Sequence, residues 1–320
     1  MPKQKPILIV QHAPHEHPAA LRRAIETQGM ETLLVHPYLG DPYPKYSSIS
    51  GMISLGGPMG ANDSKKHPWI TKECKLLKQC VENNYPTVGI CLGAQMLAKT
   101  LGGSVEKNKS AEVGWFSISL NSKGKSDPVM GAAGISPLVY HWHQDTFFLP
   151  KKAQLLATSE GCPRQAFKVS ENIYGFQFHP EADHQLLREW LTIDGVEEEI
   201  RVTRKECEPT FIQTSKVQLK HALSGEKSSL KITAAIGQLF QEKEYVPVSE
   251  TIHEQLESWT SDQTLLLLEF KGSDQKMHML KGHISNLLSI PKAEVLIFRD
   301  EKTLLWPLRL DTIQKIQCYD

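Results

Sequence analysis

The stretch VGICLGAQML, from Val88 to Leu97, places a cysteine between two glycines, where a short apolar run gives way to a helical pattern. Small neighbours on both sides of Cys91 permit a sharp strand-to-helix turn that lifts its side chain above a sheet, the arrangement called a nucleophile elbow. The following helix would direct its first amides at the thiol, where they stabilise negative charge. The pattern alone leaves two interpretations open, because free cysteine is also a common buried core residue.

Strand and helix patterns alternate around this turn. Short apolar runs without polar alternation are typical of parallel strands buried on both faces, and the segments between them have helical spacing. The alternation predicts a mostly parallel sheet covered by helices on both faces. The predicted strands are residues 6–10, 32–36, 51–55 and 87–91, and the predicted helices are residues 18–28, 68–83 and 93–101.

The pattern changes after residue 110. Successive strands with short turns, partly antiparallel, are predicted at 115–120, 138–143, 155–159, 165–169 and 174–179, followed by a helix at 183–193. The charged, weakly patterned segment 195–209 predicts a domain boundary, which gives domains 1–197 and 205–320. A chain that ends near Gly195 is then expected to fold by itself.

The second predicted domain combines helices with closely spaced strands. Such spacing favours a small antiparallel sheet or barrel, and hence a smaller α+β domain. The predicted helices are 217–223 and 231–241, and the predicted strands are 264–271, 277–284, 293–299 and 304–308. Residues 278–316 resemble an Sm-like or SH3-like barrel, and the expected role of this domain is self-association or docking of a partner.

The chain has 320 residues, with 36 basic and 36 acidic side chains and no formal net charge. This balance does not favour nucleic acid or an anionic membrane as a partner, and the apolar runs are far shorter than the roughly 20 residues of a membrane helix. The six cysteines show no C-x-x-C spacing, which argues against a disulfide framework or a zinc site and favours a reducing cytoplasm. We therefore predict a cytoplasmic protein without a cofactor or metal.

Two further turns bring chemistry to the predicted sheet edge. In YGFQFHPEADH, residues 174–184, His179 and Glu181 lie two positions apart at a strand end. A thiol nucleophile needs a base, and the base needs a carboxylate to orient it. Another turn, LGGPMG at residues 55–60, has glycines that allow a backbone amide to approach a ligand closely. Because parallel strands gather their carboxyl ends at one edge, these turns and Cys91 are expected to meet there.

These stretches together resemble the class I, triad-type glutamine amidotransferase family over residues 6–193. LGGPMG, GICLGAQ and FQFHPE occur in the family's order and spacing. EVGW at residues 112–115 and HWHQD at residues 141–145 fit the stand-alone, GMP synthase-like subgroup more closely. The resemblance implies a flavodoxin-like α/β fold for the first domain.

The resemblance also implies roles for individual residues. Cys91 would be the nucleophile, His179 the base and acid, and Glu181 the group that orients His179. The backbone amides of Gly57 and Leu92 would hold the oxyanion. Expected substrate contacts are Gln95, Gly56 and His143, although His143 is equally compatible with structural support.

The implied reaction is hydrolysis of the side-chain amide of glutamine or of a γ-glutamyl compound through a Cys91 thioester. Two alternatives remain open. The protein could be the ammonia-donating glutaminase subunit of a separate synthetase, or a non-catalytic binding or scaffold protein.

The loop QHAPHEHP, residues 11–18, has three histidines at positions 12, 15 and 17. Imidazole is a common metal ligand, and the loop would lie at the functional edge of the sheet. Three interpretations are therefore considered: a metal site, a substrate contact, and a solvent-exposed loop without a function, which is the expected one.

Overall fold

The computed structural model describes residues 5–206, 211–240, 250–271, 277–290 and 293–319. In chain order the helices are α1 (Ala19–Glu26), α2 (Trp69–Glu82), α3 (Leu92–Thr100), α4 (Ser122–Ser126), α5 (His184–Leu191), α6 (Val196–Glu206), α7 (Ser215–Leu239) and α8 (Glu250–Ser261).

The strands are β1 (Ile7–Val10), β2 (Thr32–Val35), β3 (Gly51–Ser54), β4 (Thr87–Ile90), β5 (Ser104–Ser117), β6 (Ser119–Leu120), β7 (Leu138–Phe148), β8 (Gln154–Thr158), β9 (Ala166–Ser170), β10 (Ile173–Phe176), β11 (Phe211–Ile212), β12 (Leu266–Lys271), β13 (Met277–Ile290), β14 (Ala293–Asp300), β15 (Leu305–Arg309) and β16 (Ile313–Cys318).

The main sheet has eight strands in the order β2-β1-β3-β4-β10-β9-β8-β6. Its first five members in this order pair in parallel, and the remaining three pair antiparallel. Every residue of β1, β3 and β4 is buried, as expected for strands covered on both faces. The mostly parallel α/β sheet predicted for the first part of the chain is therefore confirmed.

A second, three-stranded sheet lies next to the main sheet in the order β11-β5-β7. Strand β5 begins at Ser104, well before the predicted start at residue 115, and pairs antiparallel with β7 as far as the pair Ser104–Phe148. The second sheet touches the main one where the backbone N–H of His179 donates to the Tyr140 carbonyl at 2.8 Å. This contact connects β7 to the segment after β10.

The C-terminal sheet has five antiparallel strands in the order β15-β14-β13-β12-β16, in agreement with the predicted small antiparallel sheet. One of its faces packs with Leu256 of α8 around a separate cluster that includes Leu268, Phe298 and Leu308. The C-terminal sheet and α8 therefore have a hydrophobic core of their own. The sheet also buries apolar side chains against other helices of the protein.

The helix α7 is a single 25-residue element. It contains the predicted helical stretch 217–223 and the predicted stretch 231–241 as far as residue 239, and it continues through the residues between them; residue 241 lies outside the described residues. Gly225 lies between the two predicted stretches, and glycine is unfavourable in a helix interior. In the structure Gly225 is buried, and a Cβ there would lie 2.0 Å from the indole ring of Trp115. The glycine serves a close contact with β5 and does not end the helix.

The last turns of α7 pack into the core of the main sheet. Ile232, Ile236 and Phe240 belong to the same buried cluster as Ile9, together with residues of β3 and β4. A Cβ on Gly51 would lie 2.5 Å from the Phe240 ring, which shows how closely the helix approaches β3. The division into residues 1–197 and 205–320 stays a prediction, and the packing shows that the two segments share a core.

The C-terminal sheet also contacts helices of the first part. Leu288, Val295 and Leu305 of this sheet pack against Ala20 of α1 and Leu230 of α7. In addition, the Arg23 guanidinium donates to the Leu305 carbonyl at 2.9 Å, and the Thr27 hydroxyl donates to the Pro307 carbonyl. Among the described residues, no helix is long and apolar enough to cross a membrane.

We expect Gly225→Ala to destabilise the protein by about 1–3 kcal/mol, because the added methyl group overpacks the contact with Trp115. At an exposed helix position the same change would stabilise by about 1 kcal/mol. The matched control is Ser224→Ala on the exposed face of the same helix, which should be neutral or slightly stabilising. Urea unfolding measures both, and equal stability of the two variants would contradict the packing argument.

Candidate active site

Cys91 occupies the sharp turn between β4 and α3. Its backbone has φ 48° and ψ −106°, a strained conformation that persists only where the surrounding structure imposes it. A Cβ on Gly89 would lie 2.6 Å from the Gly93 backbone, and a Cβ on Gly93 would lie 2.0 Å from the Ser54 carbonyl oxygen. Both neighbouring glycines are therefore sterically required, which explains the G-x-C-x-G pattern.

His179 and Glu181 follow β10, the strand that pairs in parallel with β4. The Nδ1 of His179 lies 2.7 Å from the Glu181 Oε1, and both residues are buried. The Cys91 backbone N–H donates to the Phe176 carbonyl at 2.8 Å, so the turn that holds the thiol is bonded directly to the strand that leads to the histidine. The structure thus brings the predicted thiol, imidazole and carboxylate to one sheet edge.

The electrostatic environment of His179 favours its charged form. Burial acts to lower the pKa of the imidazole, but the Glu181 carboxylate and the hydrogen bond with Cys91 outweigh it and raise the pKa well above its ordinary value. An imidazole held between a carboxylate and a thiol can accept and return a proton at the sulfur.

We expect Glu181→Gln to lower the pKa of His179, because burial would then act on the imidazole without the opposing carboxylate. The pKa of His179 is higher in the folded protein than in the unfolded chain. Below the unfolded-state pKa the imidazole is charged in both states, and its contribution to the free energy of unfolding is fully present. As pH rises through the folded-state pKa, the imidazole loses its proton and that contribution is lost. An NMR titration of the imidazole measures the shift. The control is Glu189→Gln, which removes the exposed partner of His17 and should leave His179 unchanged; an unaltered His179 pKa in Glu181→Gln would contradict the assignment.

The two residues predicted to hold the oxyanion, Leu92 and Gly57, are neighbours at the Cys91 turn, since a Cβ on Gly57 would lie 3.0 Å from the Leu92 side chain. Leu92 is the first residue of α3, so no helical carbonyl accepts from its N–H. Gly57 follows the turn after β3 and lines the same cavity as Cys91. The Gly93 N–H donates to the Leu55 carbonyl at 3.1 Å and thereby ties the two turns together. The structure therefore places the predicted pair Gly57 and Leu92 in adjoining turns next to Cys91.

These groups open onto a cavity of about 450 Å³. Its lining includes Cys91, His179 and Gly57, the indole rings of Trp142 and Trp190, and Glu199 of α6. A cavity of this size accommodates a small-molecule substrate.

The predicted substrate contacts differ in how they face the cavity. Gln95 lines it, and its amide nitrogen lies 3.3 Å from the Asp145 carbonyl. A Cβ on Gly56 would lie 2.9 Å from the His179 ring, so this glycine leaves room for the imidazole. His143 lines the cavity too, but its Nδ1 lies 3.1 Å from the Asp145 carbonyl and its Nε2 lies 3.0 Å from Glu112. Its contacts therefore favour structural support.

The sequence did not single out two polar residues that lie near the thiol. The Gln177 amide nitrogen lies 3.8 Å from the Cys91 sulfur, and Glu16 lines the cavity within 4.8 Å of His179 and Glu181. Burial raises the pKa of Glu16, and the imidazole of His179 acts against this. Gln177 is in the FQFHPE stretch, but only the fold shows that its side chain turns toward the sulfur.

The interpretation of residues 11–18 as a solvent-exposed loop is wrong for His12. Its side chain is completely buried, with Nδ1 2.9 Å from the Gly56 carbonyl and Nε2 3.0 Å from a Glu73 oxygen. His15 lines the cavity, and the partly exposed His17 pairs with Glu189 at 2.8 Å. The three histidines therefore have three different environments and do not form one cluster.

Metal-binding side-chain types occur together in two places among the described residues. One set is Glu112 with His141 and His143, and the other is Glu16 with His179 and Glu181; each has its potential ligand atoms within 4.8 Å of one another. Protein donors already occupy both oxygens of Glu112, since Ser159 and Gln165 donate to them at 2.7 and 2.6 Å. The carboxylate of the first set is therefore hydrogen-bonded by protein groups, and the second set surrounds the imidazole that was predicted as the base.

The sequence profile of the family "Glutamine amidotransferase class-I" matches residues 19–196. This match takes in the Cys91 turn and the strand end with His179 and Glu181. The chain belongs to the class I glutamine amidotransferase family. A glutamine amidotransferase-like protein of Salmonella typhimurium, YfeJ, is 30% identical over 201 residues, which are 62% of this chain and 80% of that protein. A glutamine-hydrolysing GMP synthase subunit from Pyrococcus abyssi is 38% identical over 143 residues, or 44% of this chain and 70% of that protein.

Solved structures of other amidotransferases share the fold. A glutamine amidotransferase from Thermotoga maritima has a TM-score of 0.64 at 26% identity and covers 74% of this chain and 98% of its own. One from Methylobacillus flagellatus has a TM-score of 0.66 at 25% identity, with 77% and 100% covered. Both structures match a larger fraction of this chain than residues 1–197 represent. The structural similarity therefore extends into the C-terminal segment of this amidotransferase.

Proposed function

We propose that this amidotransferase hydrolyses the side-chain amide of glutamine or of a γ-glutamyl compound, with Cys91 as the nucleophile. The observation that supports this most strongly is the convergence of three elements at one cavity. The strained turn of Cys91, the buried His179–Glu181 pair and the glycine turn at Gly57 come from three different strand ends. Such a set supplies a thiol, a base and oxyanion donors to one substrate carbonyl.

The proposed reaction proceeds through two tetrahedral intermediates. His179 takes the thiol proton, and the Cys91 sulfur attacks the amide carbon while the carbonyl oxygen becomes negatively charged near the amides of Gly57 and Leu92. His179 then protonates the leaving nitrogen, the C–N bond breaks, and ammonia or an amine departs from a thioester. Water, which loses a proton to His179, attacks the thioester, and the C–S bond breaks to release the γ-carboxylate and the thiol.

A second candidate function is the supply of ammonia to a separate synthetase. The relative from Pyrococcus abyssi supports this candidate, since its name describes one subunit of a glutamine-hydrolysing GMP synthase. Such a protein would hydrolyse glutamine efficiently only with its partner, whereas an autonomous γ-glutamyl hydrolase would act alone. The sequence contains no P-loop or phosphate-binding glycine run, which supports the autonomous reaction.

The test is a panel of glutamine and γ-glutamyl amides incubated with the purified full chain, with glutamate and the released amine quantified separately. We expect at least one γ-glutamyl amide to be hydrolysed by the protein alone. Hydrolysis of glutamine that requires an added synthetase would support the second candidate. Absence of turnover on every compound by a folded protein, with and without a synthetase, would leave the non-catalytic scaffold as the remaining interpretation.

The cellular location and the role of the tail are proposals as well. The five cysteines of the described residues are all free thiols, which supports the expected reducing cytoplasm. For the C-terminal sheet we propose self-association or docking of a synthetase. Size-exclusion chromatography with light scattering tests the first of these, since a monomer at micromolar concentration would contradict self-association.

A further inference from the structure

The carbonyl group of the peptide that joins Gly56 to Gly57 is hydrogen-bonded to a buried histidine, His12. The Gly56 carbonyl oxygen lies 2.9 Å from His12 Nδ1, and the Leu55 carbonyl oxygen lies 3.1 Å from the same nitrogen. Carbonyl oxygens only accept hydrogen bonds, so Nδ1 carries a proton and donates it. Because the C=O and N–H of a trans peptide point in opposite directions, the Gly57 N–H points away from His12.

That direction leads into the cavity. Gly57 lines the cavity, whereas His12 is completely buried and does not line it. A Cβ on Gly57 would lie 3.0 Å from both His12 and Leu92, so the peptide is confined between the histidine and the start of α3. The other orientation of this peptide would place its carbonyl in the cavity and leave the His12 proton without that acceptor.

His12 is in turn fixed by a carboxylate. Its Nε2 lies 3.1 and 3.0 Å from the two oxygens of Glu73, which is also completely buried. Ser54 and Tyr43 donate to the same carboxylate at 2.6 and 2.8 Å. The Trp69 ring stacks on the imidazole with centroids 5.0 Å apart. The imidazole therefore has a partner on each nitrogen and a ring against its face, and it cannot turn without breaking these contacts.

Each member of this pair favours the charged form of the other. Burial acts to lower the pKa of His12, but Glu73 outweighs it and the pKa is raised. Burial acts to raise the pKa of Glu73, but His12 and the hydroxyl donors outweigh it and the pKa is lowered. Hydrogen bonds from an imidazolium are stronger than those from a neutral ring, so Glu73 strengthens the bond from His12 to the Gly56 carbonyl.

We propose that His12, anchored by Glu73, is a positioning residue that locks the Gly56–Gly57 peptide with its N–H in the oxyanion hole. This inference rests on the proposed function and extends it to two residues outside the cavity. It acts on the transition state, because the charge that the Gly57 amide stabilises develops only after Cys91 attacks.

The test compares two replacements of His12 that keep different nitrogens. His12→Asn places an amide N–H near the position of Nδ1 and can still donate to Gly56, whereas His12→Gln places it near the position of Nε2 and cannot. Both are made together with Glu73→Gln, so that no buried carboxylate lacks a counter-charge. The Glu73→Gln protein is the parent for both comparisons.

We expect His12→Gln to lower kcat by about tenfold to a hundredfold relative to that parent, with little change in KM. His12→Asn should stay within a few-fold of the parent. Alkylation of Cys91 by iodoacetamide, a displacement that forms no oxyanion, should proceed at the same rate in all three proteins. Equal kcat in the two variants, or a parallel loss of turnover and of alkylation, would overturn the inference.

A further variant keeps the inference testable if His12→Gln does not fold. Glu73→Leu removes the carboxylate that anchors His12, so the imidazole is no longer fixed against the Gly56 carbonyl. The kcat of this variant should fall while the rate of Cys91 alkylation is unchanged. A kcat equal to that of the Glu73→Gln protein would overturn the inference. The wild-type assay separates two failures. An inactive wild-type protein overturns the proposed function together with this inference, whereas an active one with an equally active Gln variant overturns this inference alone.

Discussion

Replacement of Cys91 by alanine is expected to abolish hydrolysis, with a loss of turnover on the order of 10⁴-fold or more, because no other group can form the thioester. The substitution removes only a sulfur atom from a buried turn whose neighbours are Gly89 and Gly93. The fold and the melting temperature should therefore change little. Glutamate release from the best substrate of the panel measures the loss, and circular dichroism confirms the fold.

Cys80→Ala is the matched control for this variant. It too removes a buried sulfur, but burial raises the pKa of the Cys80 thiol to about 12, so almost none of it is ionised. A glutamine-derived diazoketone should label Cys91 in preference to Cys74 and Cys162, because burial raises the pKa of both of these thiols as well. Retained turnover in Cys91→Ala, or equal labelling of Cys74, would remove Cys91 from the mechanism.

A chain that ends at residue 200 is expected not to fold stably. It lacks α7, and with it Ile232, Ile236 and Phe240, which fill the core against the main sheet. Burial of each such side chain stabilises by about 1.5–3 kcal/mol, and the sum is comparable to the total stability of a typical domain, about 5–15 kcal/mol. This expectation reverses the one from the sequence, which predicts that residues 1–197 form an independent domain. Urea unfolding monitored by tryptophan fluorescence measures it.

The matched comparison is a chain that ends at residue 240. It keeps α7 and loses the C-terminal sheet, whose contact with the first part involves Ala20 and Leu230 and a few hydrogen bonds. We expect this chain to fold, with lower stability than the full protein, and to retain hydrolysis. Cooperative unfolding and full activity of the 200-residue chain would show that α7 is not needed to complete the core.

The site could be predicted in outline because its candidate catalytic residues occur in short local sequence motifs. The glycines around Cys91 and the HPE at 179–181 are each constrained by their nearest neighbours in sequence, and the structure places Cys91 and His179 at one cavity, with Glu181 bonded to His179. The roles of His12 and Glu73 could not be predicted in this way. His12 and Glu73 lie 61 positions apart in sequence. The contact of His12 with the glycine turn arises only because β1 pairs with β3, which brings the loop after β1 next to the turn after β3.

Helix α7 shows the same limit for the fold. The helical pattern in the sequence covers 217–223 and 231–241 and leaves out the segment between them, where glycine and serine disfavour a helix interior. The contact with Trp115, more than 100 positions earlier, reverses that preference, since only a glycine lets the helix approach β5. A local pattern cannot report a steric requirement that is imposed by a distant side chain.

The sequence by itself determined the alternating strand and helix order, the strained thiol turn and the pairing of a histidine with a carboxylate, since each follows from interactions within a few residues. The tertiary structure alone decided that α7 completes the first core, that His12 holds the glycine turn, and that Gln177 approaches the thiol. These features depend on side chains that meet only after the sheet has formed, because burial and steric fit are properties of the packed chain rather than of any one segment.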